Sequence, residues 1–287
     1  MSKDLSWRPG RLLLPLSYTP YEINAVKIAF YISECCGSPI TIFHVRAPDE
    51  EEKIDFTIEL EKLARKLRVK YEVKEKILHG TFSHNLVASS IVNESDREDY
   101  EYIVMPAHRE RTYVEFFGRV SDRVVRKTRK KVVIVETPQI GLTLPLTLRR
   151  ILAATFQETV PDDVVLLATL LTSSASTSDA EIRVMKIVEL PPTIPLDEII
   201  ESKDFKKPEK IFTRSVGEYI RLLGRPLTPV ILPVRESEDV IKYMSNNSID
   251  ILLLSVSKPR FRNLLGKREY GIVKRAPVVT LVIVPEA

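Results

Sequence analysis

Short apolar runs alternate with helical stripes along this chain. Arg11 to Leu16 (RLLLPL) reads as a buried strand. Ala25, Ile28, Ala29 and Ile32 then fall on one stripe of a helix that Gly37 ends. Pro39 to Arg46 is a second strand. A helix from about Glu50 to Leu67 turns Phe56, Leu60, Leu63 and Leu67 inward, with acids in its first turn and bases in its last, as the helix dipole favours. Val69 to Leu78 alternates charged and apolar residues like an edge strand. Gly80-Thr81-Phe82-Ser83 turns into a helix reaching about Asn93. Tyr102 to Met105 is the next strand, and a polar, basic loop from Pro106 to Glu115 follows it. After Gly118 comes a helix with Val120, Val124 and Thr128 on its inner face, and Val132 to Val135 closes the set. A strand, helix, strand sequence of this kind demands a parallel sheet with right-handed crossovers. Ligands of such sheets sit beyond the carboxyl ends of the strands, so the loop after Met105 is the place to look for function.

Thr137 to Thr147 carries prolines and a glycine without helical periodicity and reads as a linker. The order then restarts. Arg150 to Ala154 is a first strand, and Pro161 to Leu171 a helix opened by Pro161, Asp162 and Asp163. Glu181 to Leu190 is a strand, Leu196 to Leu223 a helix-rich stretch, Pro229 to Val234 a strand and Glu236 to Met244 a helix. Ile251 to Ser255 is the counterpart of Ile103 to Ala107, Gly266 of Gly118, and Val282-Ile283-Val284 of Val133-Ile134-Val135. Two halves in one order point to duplication. The expected fold is α/β: two tandem flavodoxin-like (HUP-type) domains, 1–140 and 148–287, each a five-stranded mainly parallel sheet with helices on both faces. Packing through Lys131 to Glu136 and Val278 to Val284 would make an intramolecular pseudo-dimer, and a homodimer is a further option.

Composition narrows the class. With 287 residues, 44% hydrophobic and 29% charged, the chain is of globular type. No apolar run approaches the roughly 18–20 residues of a membrane span. The N-terminus, MSKDLSWRPG, has no apolar signal core, so a cytoplasmic protein is expected. A net charge of +4 is weak support for an anionic partner. Gln occurs only at 139 and 157 among abundant Lys, Arg and Glu, a usage common in proteins of hot environments. The adjacent Cys35 and Cys36 read as core-filling residues.

The stretch from Glu101 to Glu136 resembles the C-terminal half of a universal stress protein (UspA-like) domain. In that family a Gly-x-x-Gly loop and a later Gly-Ser wrap an ATP triphosphate. Pro106 and Arg109 stand at the first two glycines, Gly118 at the third, and Arg119 where Ser or Thr is expected. The spacer before Gly118 is shorter than the family's. The family's Asp at the end of the first strand is matched by Ser17, and its backbone contact to the base by Val45. The resemblance implies ATP or AMP as the ligand, and Leu16, Ser17, Val45, Ala107, His108, Arg109, Gly118, Arg119, Val120 and Ser121 as candidate nucleotide-binding residues. Pro106 removes an N–H and fixes φ where glycine would allow close approach of phosphate. Arg109, Arg111 and Arg119 can offset that by charge. In the second half, Ser255, Ser257, Lys258, Gly266 and Lys267 form the matching candidate anion loop. That half also resembles the cytosolic stress-protein-like domains of amino-acid permeases and antiporters, on Val188 to Leu196 and Thr280 to Val284.

No G-x-S-x-G, H-E-x-x-H, Walker loop or G-x-G-x-x-G occurs, and no paired carboxylates flank a pocket at interpretable spacing. The four histidines are dispersed and suggest no metal site. The basic run from Arg119 to Lys131 lacks interleaved aromatics, so a solvated helix face is favoured over nucleic-acid binding. The expected role is a non-enzymatic regulatory or stress-response protein with a degenerate nucleotide loop. An adenine-nucleotide sensor, or a subunit that regulates a transporter or larger complex, are the alternatives.

Overall fold

The structure, a computed structural model, describes residues 10–48, 54–79, 83–107, 117–138, 148–172, 180–190, 203–257 and 265–286. It divides into two compact units, one built mainly on Arg8–Leu144 and the other mainly on Pro145–Val256 and Leu265–Leu281.

The first unit runs β1 (Arg11–Leu16), α1 (Ile23–Cys36), β2 (Ile40–Arg46), α2 (Ile54–Leu67), β3 (Tyr71–Ile77), α3 (His84–Arg97), β4 (Tyr100–Pro106), α4 (Arg119–Lys127), β5 (Lys131–Glu136). The strand order is β3-β2-β1-β4-β5, with every pairing parallel. β1 and β4 are covered on both faces, which is why RLLLPL and YIVM show no alternation. Gly37 closes α1 at φ 68°, in the left-handed region, and its N–H donates to the Ser33 carbonyl. Ser83 caps α3 by accepting from the Leu86 N–H, and the helix continues beyond Asn93 to Arg97. β3 lies at one end of this order, as its charge pattern implies, but its apolar Val73 and Ile77 are among the exposed residues. An ionic network ties β3 to α3 and β1: Lys74 pairs with Glu94 at 3.1 Å and with Glu98, and Glu98 also accepts from Arg11.

The second unit runs β6 (Arg150–Thr155), α5 (Asp162–Leu171), β7 (Glu181–Glu189), α6 (Lys203–Leu223), β8 (Thr228–Val234), α7 (Ser237–Asn246), β9 (Ile251–Ser255), α8 (Lys267–Arg275), β10 (Val279–Val284). Its order, β10-β9-β6-β7-β8, repeats that of the first unit, and β7 and β9 both pair parallel to β6. The helix-rich stretch ends in one helix, α6, with Pro208 inside it. In each unit the order reverses beside the first strand, between β1 and β4 and between β6 and β9. Such a reversal is where the backbone ends of a doubly wound sheet diverge at the carboxyl edge. Among the described residues no helix is long and apolar enough to cross a membrane.

Candidate functional site

The carboxyl ends of β1, β2 and β4 open into a cleft of about 850 Å³ in the first unit. Leu16, Ser17, Val45, Ala107, Arg119, Val120 and Ser121 line it, together with Phe43, Met105 and Pro106. Gly118 sits at the start of α4 with φ 101°, a conformation that glycine alone adopts readily. His108 and Arg109 lie outside the described residues, as does Phe116.

The wall formed by α4 differs from the helical stripe expected. Val124 and Val125 are fully buried, Ser121 and Asp122 are buried with them, and Val120 is only half-buried, turned to the cleft. A nine-residue helix pressed against both the sheet and α3 buries adjacent positions, not one narrow stripe. The polar groups that open α4 are committed within the chain. Ser121 Oγ donates to the Pro106 carbonyl at 3.2 Å, and the Phe117 N–H donates to Asp122 Oδ1 at 3.3 Å. The Ala107 N–H donates to the Val135 carbonyl at 3.0 Å, so it extends the β4–β5 ladder and is not directed into the cleft.

At the end of β1 the structure supplies a carboxylate that position 17 lacks. Residues Pro20–Glu22 form a 3₁₀ turn that folds Glu22 back under the strand end, where it is 1% exposed. Its Oε1 accepts from the Ser17 N–H and Ser17 Oγ, both at 2.9 Å, and its Oε2 accepts from the Thr19 N–H at 2.9 Å. A carboxylate so furnished has little acceptor capacity left; its role is to hold Ser17 in place. The sequence carried a signal for this, because Thr19-Pro20-Tyr21-Glu22 is a capping box with proline at its first helical position. Tyr21, 80% exposed, and His84 join the lining, as do Thr137 and Pro138. None of these was singled out by sequence.

Behind Ser17 the chain turns through Tyr18 at φ 56°, unusual for an aromatic residue. The Tyr18 ring stacks on His44 at 4.4 Å and leans on Phe56 at 5.3 Å, and His44 Nδ1 bonds the Leu16 carbonyl at 2.8 Å. Burial pushes the Tyr18 phenol up to about 12, with Glu75 adding to the effect. The stack fills the sheet face opposite the cleft and fixes where β1 ends.

In the second unit the candidate anion residues do not assemble in the same way. Ser255 is buried in the last position of β9, Ser257 is exposed, and Lys258 lies outside the described residues. Gly266 begins α8, followed by Lys267, but the Glu269 carboxylate lies directly over Gly266. Burial pushes the Glu269 pKa up, while the backbone N–H groups it bonds at the helix start pull it down. This helix terminus already holds an anion of the chain's own.

Among the described residues no cluster of three or more His, Cys, Asp or Glu could hold a metal ion. A model of the universal stress protein family matches residues 10–136. The whole chain is similar in fold to a universal stress protein from Archaeoglobus fulgidus DSM 4304, with a TM-score of 0.62 at 15% identity, covering 95% of this chain and 97% of that one. It is also similar to the cytoplasmic domain of a prokaryotic cation chloride cotransporter, with a TM-score of 0.57 at 13% identity over 97% and 96% of the two chains. No curated protein sequence matches it. Residues 10–136 of this chain match the universal stress protein family, and a second unit of the same strand order follows them in the sequence.

Proposed function

We propose that the chain is a non-enzymatic regulatory protein whose first unit takes an adenine-type nucleotide, AMP or ATP, in the cleft between β1 and β4. The observation that carries this reading is the position and lining of that cleft. It lies at the point of strand-order reversal, where doubly wound sheets bind ligands, and its volume falls in the range of small-molecule sites. Leu16, Val45 and Met105 offer an apolar bed for a base. Ser17, held by Glu22, offers a hydroxyl to a sugar, and Arg119 at the start of α4 supplies positive charge for a phosphate. Pro106 and the committed Ala107 N–H weaken the phosphate end, so affinity rests more on base and sugar than on a backbone cradle. No catalytic step is part of the reading.

Isothermal titration of the full chain with ATP, AMP and cyclic dinucleotides tests it. Binding in the micromolar to low millimolar range, weakened by Arg119→Ala for phosphate-bearing ligands, is the expected result. Absence of heat with every ligand at millimolar concentration overturns it. A second reading, regulation of a transporter through the tandem units, draws on the fold shared with the cotransporter's cytoplasmic domain. Recovery of a transporter with the chain from its native cell supports it, and a lone species by mass counts against it.

A further inference from the structure

Lys186 is a buried cation that makes no ion pair among the described residues. It lies within β7, 5% exposed, and its Nζ donates to one acceptor, the Gln157 carbonyl at 3.2 Å. An ammonium has three N–H donors, and among the described residues Lys186 makes no ion pair. Buried charges are ordinarily paired, because leaving one unpaired in a low-dielectric interior is costly.

The sheet places two hydroxyls beside it. Thr155 pairs with Lys186 on one side and with Ser255 on the other, so the three residues form one row across β7, β6 and β9. In parallel strands such partners point to the same face. Thr155 Oγ1 accepts from the Gln157 N–H at 3.1 Å. Ser255 is 3% exposed, and among the described residues its hydroxyl has no hydrogen-bond partner. The row stands at the ends of β6 and β9, the second unit's point of strand-order reversal.

The first unit provides a comparison at the same register. There His44 pairs with Leu16 as Lys186 pairs with Thr155, and its ring is satisfied by the Leu16 carbonyl and covered by Tyr18. An imidazole needs no anion in that position. An ammonium does.

We propose that the second unit binds a small oxoanion, phosphate or a carboxylate of similar size, on Lys186 with the Ser255 hydroxyl as second donor. The site is separate from the cleft of the first unit and does not depend on nucleotide binding there. Burial pulls the Lys186 pKa below its ordinary value, and Glu158 opposes this only in part, as expected for a charge short of compensation.

The test is thermal unfolding and calorimetric titration of the full chain with inorganic phosphate against chloride at matched ionic strength. Phosphate also stabilises proteins non-specifically, so the comparison with Lys186→Met decides. The expected result is a saturable phosphate-dependent rise in Tm for the wild type that is lost in Lys186→Met. In Ser255→Ala, affinity should weaken by about tenfold, the loss of one hydrogen bond to a charged ligand. Ser255→Ala removes a single oxygen and keeps the test available if Lys186→Met folds poorly. Equal shifts in the wild type and Lys186→Met, or no response of the wild type beyond chloride, overturn the proposal.

Discussion

The Glu22 carboxylate lies 2.9 Å from both the amide nitrogen and the hydroxyl of Ser17. A side chain five residues downstream thus fixes the end of β1 by charge-assisted bonds in a part-buried setting. Glu22→Ala leaves the Ser17 and Thr19 N–H groups without their acceptor and should cost about 2–4 kcal/mol. Ser17→Ala loses one hydroxyl bond and keeps the backbone one, so it should cost about 1 kcal/mol. Urea denaturation followed by far-UV circular dichroism measures both. Equal losses in the two variants would show that Glu22 acts only through the hydroxyl.

In the first unit Gly118 alone stands where the resemblance places a loop glycine, and its φ of 101° gives a reason that involves no ligand. Gly118→Ala forces a Cβ into a region that L-residues avoid, at about 1–3 kcal/mol. The first unit should lose stability by that amount even without nucleotide. Unchanged thermal stability with lost ligand binding would instead assign the glycine to the ligand.

The Lys74, Glu98 and Arg11 network sets a pH dependence. Glu98 is held below the usual carboxylate range, chiefly by its hydrogen bond from Lys74, with burial opposing and Arg11 adding. Its contribution is therefore present above the unfolded carboxylate value of about 4.3 and is lost as pH falls through the lower folded value. Lys74 is raised above its ordinary value, first by Glu98, with burial opposing and Glu94 adding. Its contribution is present below about 10.4 and is lost as pH rises through the higher folded value. Stability from this network should be flat between about pH 5 and 10 and fall at both ends. Lys74→Met should flatten the acid limb in a series of Tm against pH. The effect should shrink in molar salt, because Glu98 and Arg11 are about a third exposed and screened by solvent.

The framework could be read from the chain because its signals are local. RLLLPL has the continuous apolar run of a doubly covered strand, and Gly37 and Gly118 stop and start helices by backbone geometry. What escaped was decided by neighbours distant in sequence. Matching the family's Asp to position 17 finds only a serine, whereas the carboxylate arrives from Glu22 around a 3₁₀ turn. Lys186 sits in the run Arg183 to Glu189, whose charges at 183, 186 and 189 follow no strand alternation. The structure places it inside β7, between β6 and β8, and 5% exposed. Val125 was missed because a single helical stripe does not describe a helix buried on two sides.

Tyr18 allows a sharper test, because its backbone and its ring pull in opposite directions. The left-handed φ of 56° penalises any residue with a Cβ by about 1 kcal/mol relative to glycine. The ring repays this by stacking on His44 and packing on Phe56, contacts worth about 0.5–1.5 kcal/mol each pair beyond the area they bury. Tyr18→Ala keeps the backbone penalty and loses the ring, so it should be destabilised by about 2–4 kcal/mol. Tyr18→Gly loses the same ring but relieves the backbone, and should be more stable than Tyr18→Ala by about 1 kcal/mol. That ranking reverses the usual one, in which glycine is the more costly replacement. Chemical denaturation of the two variants side by side measures it, and an alanine variant as stable as the glycine one would mean that the chain does not turn through the left-handed region behind Ser17.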